Sequence, residues 1–162
     1  MTRTHTIVGS PVGPIILVAD GDALACLYLD VQRYADDVGD TDAGDSVVLK
    51  EAERQLAEYF AGERTEFDLP LAAAGTPFQR RVWSALCDIP YGETISYGEL
   101  ARRIGQPTAS RAVGLANGRN PISIVVPCHR VIGSSGKLIG YGGGLDRKQT
   151  LLELERARDR LL

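Results

Sequence analysis

Cys128 and His129 stand side by side in an otherwise apolar run, Ile124-Val125-Val126-Pro127-Cys128-His129-Arg130-Val131-Ile132. A thiolate is a strong nucleophile, and a neighbouring histidine can take the thiol proton. Apolar residues on both sides point to a shielded pocket, which suits a thiol that reacts once. A lone cysteine also reads as a small buried hydrophobe, so the neighbourhood must decide. His129 is one of two histidines in the chain, and Pro127 restrains the entry to the segment. Gly133-Ser134-Ser135-Gly136 and Gly140-Tyr141-Gly142-Gly143-Gly144 follow. Glycines let a ligand approach the backbone and its N–H donors, and the same run also reads as a flexible turn. In an extended segment adjacent side chains point apart, so Cys128 and His129 would meet through a water. A carboxylate is then wanted to orient the imidazole and raise its basicity. Glu155, beside Leu151 and Leu152, is the candidate, although on spacing alone it reads as a surface glutamate.

A second constellation lies upstream. Ser96-Tyr97-Gly98-Glu99 has the pattern of a capping box and opens a helix to about Ile104. Gly105-Gln106-Pro107 makes a short turn, and another helix runs over about 108–116 before Asn117-Gly118. Two short helices across a glycine-containing turn read as a helix-turn-helix, and an ordinary helical hairpin has the same pattern. Arg102, Arg103, Arg111 and Arg119 gather there. The second helix, Thr108-Ala109-Ser110-Arg111-Ala112-Val113-Gly114-Leu115-Ala116, is rich in small residues. They allow close approach to DNA backbone but offer few long polar groups for reading major-groove base edges. This favours sequence-independent binding in the minor groove, with Arg111 as the one long projecting group.

The remaining elements must position these groups. Residues 5–9, 14–19 and 23–29 are short, β-branched and apolar, separated by Ser10-Pro11-Val12-Gly13 and Asp20-Gly21-Asp22, and predict a small antiparallel sheet. Residues 30–45 carry six aspartates and two glycines and read as an exposed loop. Ser46 caps a helix over about 47–61 with Leu49, Ala52, Leu56 and Tyr59/Phe60 as its stripe, and 63–75 reads as a linker. Thr76-Pro77 opens a helix carrying Phe78, Val82, Trp83 and Leu86 on one face, stopped by Pro90-Tyr91-Gly92. A last helix covers roughly 147–160, capped by Asp146. The fold class is α/β in two domains: a sheet-and-helix domain at 1–75 and a mainly helical one at 76–162.

Composition is that of an ordinary globular protein, 44% apolar and 24% charged over 162 residues. No apolar stretch is long enough for a transmembrane helix, and the start shows no signal peptide, so no membrane partner is expected. Cys26, Cys87 and Cys128 are isolated and odd in number; this argues against a disulfide framework and for a reducing cytoplasm. Net charge is only −3, but it is unevenly spread. Residues 1–75 hold 5 Lys/Arg against 14 Asp/Glu, net −9; residues 76–162 hold 13 against 7, net +6. The basic half suits a polyanion, and both halves are also compatible with plain solvated surfaces.

Pro127-Cys128-His129-Arg130-Val131 and its apolar lead resemble the signature of the O6-alkylguanine-DNA alkyltransferases. The resemblance extends to Pro90-Tyr91-Gly92-Glu93-Thr94, Ser96-Tyr97, Ser110-Arg111-Ala112-Val113-Gly114, Asn120-Pro121, Tyr141-Gly142-Gly143-Gly144-Leu145 and Leu151-Leu152-Glu153-Leu154-Glu155. It is dense over about 76–156 and looser around Ser10-Pro11-Val12-Gly13 and Tyr59-Phe60.

The resemblance implies a ribonuclease H-like N-terminal lobe and a C-terminal lobe with the helix-turn-helix. It implies single-turnover repair of O6-alkylguanine, and of O4-alkylthymine, in double-stranded DNA, after the base is flipped from the minor groove. Cys128 would accept the alkyl group. His129 would be base through a water, oriented by Glu155. Asn120 would brace the site, and Tyr97 would bind the flipped base and help protonate it. Arg111, with Ser110 beside it, would enter the duplex. Val131, Tyr141, Gly142 and Gly143 would line the base, partly through backbone groups. Relatives that cannot transfer the alkyl group replace the cysteine, which here is intact. No cofactor is implied because the cysteine is consumed, and His5 with Cys26 does not make a zinc site. The protein is expected to be a monomer that can assemble cooperatively on DNA. Rival readings are a lesion-binding sensor without transfer, a cysteine hydrolase, and a DNA-bound redox regulator.

Overall fold

The computed structural model describes residues 3–29, 41–133 and 144–161. The chain divides into two units, Met1–Ala74 and Gly75–Leu162.

In the first unit, β1 (Arg3–Val8), β2 (Ile15–Asp20) and β3 (Ala23–Tyr28) form an antiparallel meander. The β1–β2 turn closes where Gly13 takes a φ of 94°, with Ser10 Oγ donating to the Gly13 carbonyl at 2.6 Å. Ile15 to Ala19 on β2 are all buried, so this central strand is covered on both faces. Helix α1 (Val47–Phe60), capped by Ser46, packs on the sheet through Leu49, Ala52, Leu56 and Tyr59.

Two expectations need correction here. The sheet is not purely antiparallel: β4 (Asp42–Ala43), inside the segment read as a loop, pairs in parallel with β1. Residues 63–75 are not a free linker either. Leu24 N–H donates to the Pro70 carbonyl and Ala72 N–H to the Leu24 carbonyl, both at 2.8 Å. Buried Gln55 also binds the Asp68 backbone through both ends of its amide. Main-chain pairing of so short a stretch leaves no periodic signal in sequence.

The second unit is built on α2 (Pro77–Leu86), α3 (Tyr97–Arg103), α4 (Ser110–Gly118) and α5 (Leu145–Leu161). Thr76 and Gln79 complete a capping box at the start of α2, with Pro77 inside it. Val82, Trp83 and Leu86 are buried, and Trp83 Nε1 donates to the Ala116 carbonyl at 2.8 Å, joining α2 to α4. Ser96 caps α3, and Gly105, at a φ of 77°, ends that helix and opens the turn to the next. Thus α3 and α4 form the helix-turn-helix, with α4 starting at Ser110 rather than 108. The last helix starts at Leu145, so Asp146 lies in its first turn instead of capping it. Among the described residues no helix is long and apolar enough to cross a membrane.

Candidate active site

Cys128 opens a single turn of 3₁₀ helix, Cys128–Arg130. The reactive segment is therefore not extended, as its apolar pattern suggests, and successive side chains fan around a tight turn. The preceding loop is folded by Asn120. Its Nδ2 donates to the Val126 carbonyl at 2.8 Å and the Ile122 carbonyl at 3.4 Å, and its Oδ1 accepts from the Ile122 N–H at 3.0 Å. Within this loop Ile124 adopts a φ of 70°, a costly conformation for a β-branched residue. Ile124 is itself buried, so packing sustains the bend that delivers Pro127 and Cys128.

On the far side of the turn, Val131 N–H returns to the Cys128 carbonyl. Val131–Ile132 form β6, paired in parallel with β5 (Ile95–Ser96). Ser96 thus ends β5 and caps α3 at once, and Tyr97 follows as the first residue of the helix.

Glu155 completes the site from α5. It is fully buried, against the surface position its spacing suggests. His129 Nε2 donates to Glu155 Oε2 at 2.7 Å; Arg130 Nε and Nη2 donate to the two carboxylate oxygens at 2.9 and 3.0 Å. Arg130 Nη1 reaches the Ile89 carbonyl at 2.7 Å, and its guanidinium lies 5.6 Å from the centre of the Tyr91 ring. Burial alone would raise the Glu155 pKa, but the His129 and Arg130 contacts outweigh it and hold the carboxyl well below its usual range. Burial pushes His129 down and prevails over the carboxylate. Both directions favour a neutral imidazole beside an ionised carboxylate. With Nε2 protonated, Nδ1 is the basic nitrogen, and it is buried without a hydrogen-bond partner in the protein.

The Cys128 sulfur is nearly buried, and burial raises its pKa. The Asn120 side chain and the Lys148 charge act in the opposite sense. Lys148 is fully buried; its Nζ donates to the Val131 carbonyl at 2.6 Å, and burial lowers its pKa to about 8. Sequence reasoning assigned no role to Arg130 or Lys148. A signal existed for both. A buried carboxylate beside a neutral histidine demands a cation, and Lys148, Leu151, Leu152 and Glu155 share one helical stripe.

The structure thus gathers Cys128, His129, Asn120, Val131 and Glu155 around one turn, with Tyr97 at the head of α3. On α4, Arg111 is exposed and Ser110 half-buried; Ala112, Leu115 and Gly118 are exposed as well. Arg102 and Arg103 pair with Glu99, whose backbone N–H is held by the Ser96 cap. Tyr141, Gly142 and Gly143 lie outside the described residues. Among the described residues no group of three or more His, Cys, Asp or Glu could hold a metal ion.

These features define a two-unit α/β protein whose helical unit joins a helix-turn-helix to a buried cysteine–histidine–carboxylate site. Residues 77–157 match the family model of the 6-O-methylguanine DNA methyltransferase DNA binding domain, and residues 4–73 that of its ribonuclease-like domain. The methylated-DNA–protein-cysteine methyltransferase of Mycobacterium leprae is 59% identical over 91% of this chain and 88% of its own length. The O6-methylguanine methyltransferase of Mycobacterium tuberculosis superposes with a TM-score of 0.91 at 54% identity, covering 97% of this chain and 94% of that one. The Mycobacterium tuberculosis OGT in complex with DNA gives 0.88 at 53% identity, over 98% and 94% of the two chains. The chain belongs to the 6-O-methylguanine DNA methyltransferase family.

Proposed function

We propose that this protein repairs DNA directly, by moving the alkyl group of O6-alkylguanine irreversibly onto Cys128. The observation that carries the reading is the buried His129–Glu155 bond, which leaves His129 Nδ1 without a protein partner and available as a base, one residue on from a thiol whose burial favours the protonated form. In this reading His129 takes the thiol proton through a water. The Cys128 sulfur attacks the alkyl carbon, the carbon–O6 bond breaks, and its electron pair returns to the purine. Tyr97 protonates the leaving base; the phenol regains a proton from solvent and His129 gives one up. The net result is a thioether and neutral guanine. O4-alkylthymine follows the same chemistry.

Guanine O6 lies inside the duplex stack, so the base has to be extruded, at a cost of roughly a few kcal/mol. Arg111, exposed on α4, is the group that would fill the gap from the minor groove, with Ser110 beside it. Val131, Tyr141, Gly142 and Gly143 would line the extruded base. Every assigned residue falls in the proposed C-terminal domain, 76–162, and none in the domain at 1–75.

Intact-protein mass spectrometry after mixing with excess duplex carrying one O6-methylguanine tests the proposal. One added methylene mass per protein, mapped to Cys128, is expected. Cys128→Ala should gain no mass yet still retard DNA in a gel. Unchanged wild-type mass with preferential lesion binding would replace transfer by the sensor reading.

A further inference from the structure

Asn117 sits near the end of α4, only 1% exposed, and is not part of the reactive turn. Its Nδ2 nevertheless donates to the Cys128 carbonyl at 3.4 Å. Its Oδ1 is buried with no hydrogen-bond partner. A buried amide left half-satisfied works against stability, so an apolar residue would serve a purely structural role better. Tyr97 supplies a reason for keeping it. A Cβ on Gly114 would stand 3.6 Å from Tyr97 Cδ1 and 3.8 Å from Cε1, so the ring lies over α4 at Gly114. Asn117 is three residues further along, on the same helix face.

Resting on the alkyl-transfer reading above, we propose that Asn117 is a positioning residue that fixes the Tyr97 hydroxyl as a hydrogen-bond donor toward the bound base. An amide nitrogen has two hydrogens. One serves the Cys128 carbonyl, and the other is given to the Tyr97 oxygen. A phenol oxygen that already accepts from Asn117 turns its own hydrogen away from the amide, to the base. When Tyr97 passes that proton to the departing guanine, the same N–H steadies the phenolate that remains. The electrostatics agree: burial raises the Tyr97 pKa, and the hydrogen bond from Asn117 lowers it, as only donation to the oxygen can. One side chain on the DNA-reading helix thereby holds the carbonyl of the nucleophilic residue and the phenol that protonates the leaving group.

The test compares two electrophiles at Cys128. O6-benzylguanine releases a base that must be protonated, whereas iodoacetamide releases iodide, which needs no proton. In Asn117→Leu the benzylguanine rate should fall about tenfold or more, while iodoacetamide labelling of the Cys128 peptide stays within about twofold. In a Tyr97→Phe background the same substitution should add no loss beyond about twofold, because Asn117 acts through the phenol. Asn117→Met carries the same test if Asn117→Leu does not fold. Equal losses with both electrophiles, no loss at all, or an undiminished loss without the phenol would overturn the inference. A wild-type protein that labels with iodoacetamide but takes no benzyl group would instead overturn the transfer reading beneath it.

Discussion

His129 Nε2 and Glu155 Oε2 stand 2.7 Å apart, with neither side chain open to solvent, and in the proposed reaction this bond decides which imidazole nitrogen acts as base. Glu155→Gln keeps the shape but removes the charge that holds the tautomer and balances Arg130. Single-turnover transfer should slow by about a hundredfold. The melting temperature should fall by roughly 5–10 °C, because Arg130 is left as an uncompensated buried cation. A melting loss with an unchanged rate would confine Glu155 to neutralising Arg130.

The pH dependence follows from the same pair. Burial holds the His129 pKa below its ordinary 6.5, so the base stays neutral and the benzylguanine rate should be flat down through pH 6.5, falling only at lower pH. Stability behaves differently. Below 6.5 the unfolded chain binds a proton at His129 that the native state refuses, so stability declines as pH drops. Glu155, held below its ordinary 4.5, contributes stability above that value and loses it as pH falls further. Thermal melts across an acid series should therefore decline from about 6.5 and steepen below 4.5. Glu155→Gln should soften the second phase.

Lys148 places a cation where it favours the Cys128 thiolate. Lys148→Met should slow iodoacetamide labelling of Cys128 at neutral pH by about tenfold, the effect of roughly one pKa unit. The native lysine titrates at about 8, so wild-type and variant profiles should converge at higher alkaline pH. Parallel profiles throughout would mean that Lys148 acts only through the Val131 carbonyl.

Arg111→Ala should cost about tenfold or more on duplex O6-methylguanine. The free-base benzylguanine reaction should be nearly unchanged, since a free base needs no extrusion. Equal losses on the two substrates would remove Arg111 from base flipping.

Local chemistry was legible in the sequence. Ser46, Thr76 and Ser96 announce their helices because a cap is a contact between residues three apart. The Cys-His pair and the small-residue helix were equally plain. What escaped is set by tertiary contact. Glu155 can be named as the carboxylate, but its burial and its pairing with Arg130 show only in the fold, and Lys148, though on the same helical stripe, has no partner until Val131 is placed. The 3₁₀ turn at Cys128 depends on Asn120 gathering the loop before it, so the segment's own β-branched residues mislead. The pairing of Leu24 with the backbone around Leu71 joins stretches far apart in sequence through main-chain groups, which carry no residue signature.

The two-residue pairing of Ile95–Ser96 with Val131–Ile132 has a consequence for engineering. Side chains alternate along a strand, so a slip of one position would reverse what each residue faces and move the Ser96 cap out of place. Adding or deleting a residue between Ile95 and Tyr97, or between Cys128 and Ile132, should thus be far more disruptive than substitution. Anyone transplanting this reactive centre into another scaffold would have to carry both short segments together, in their native alignment.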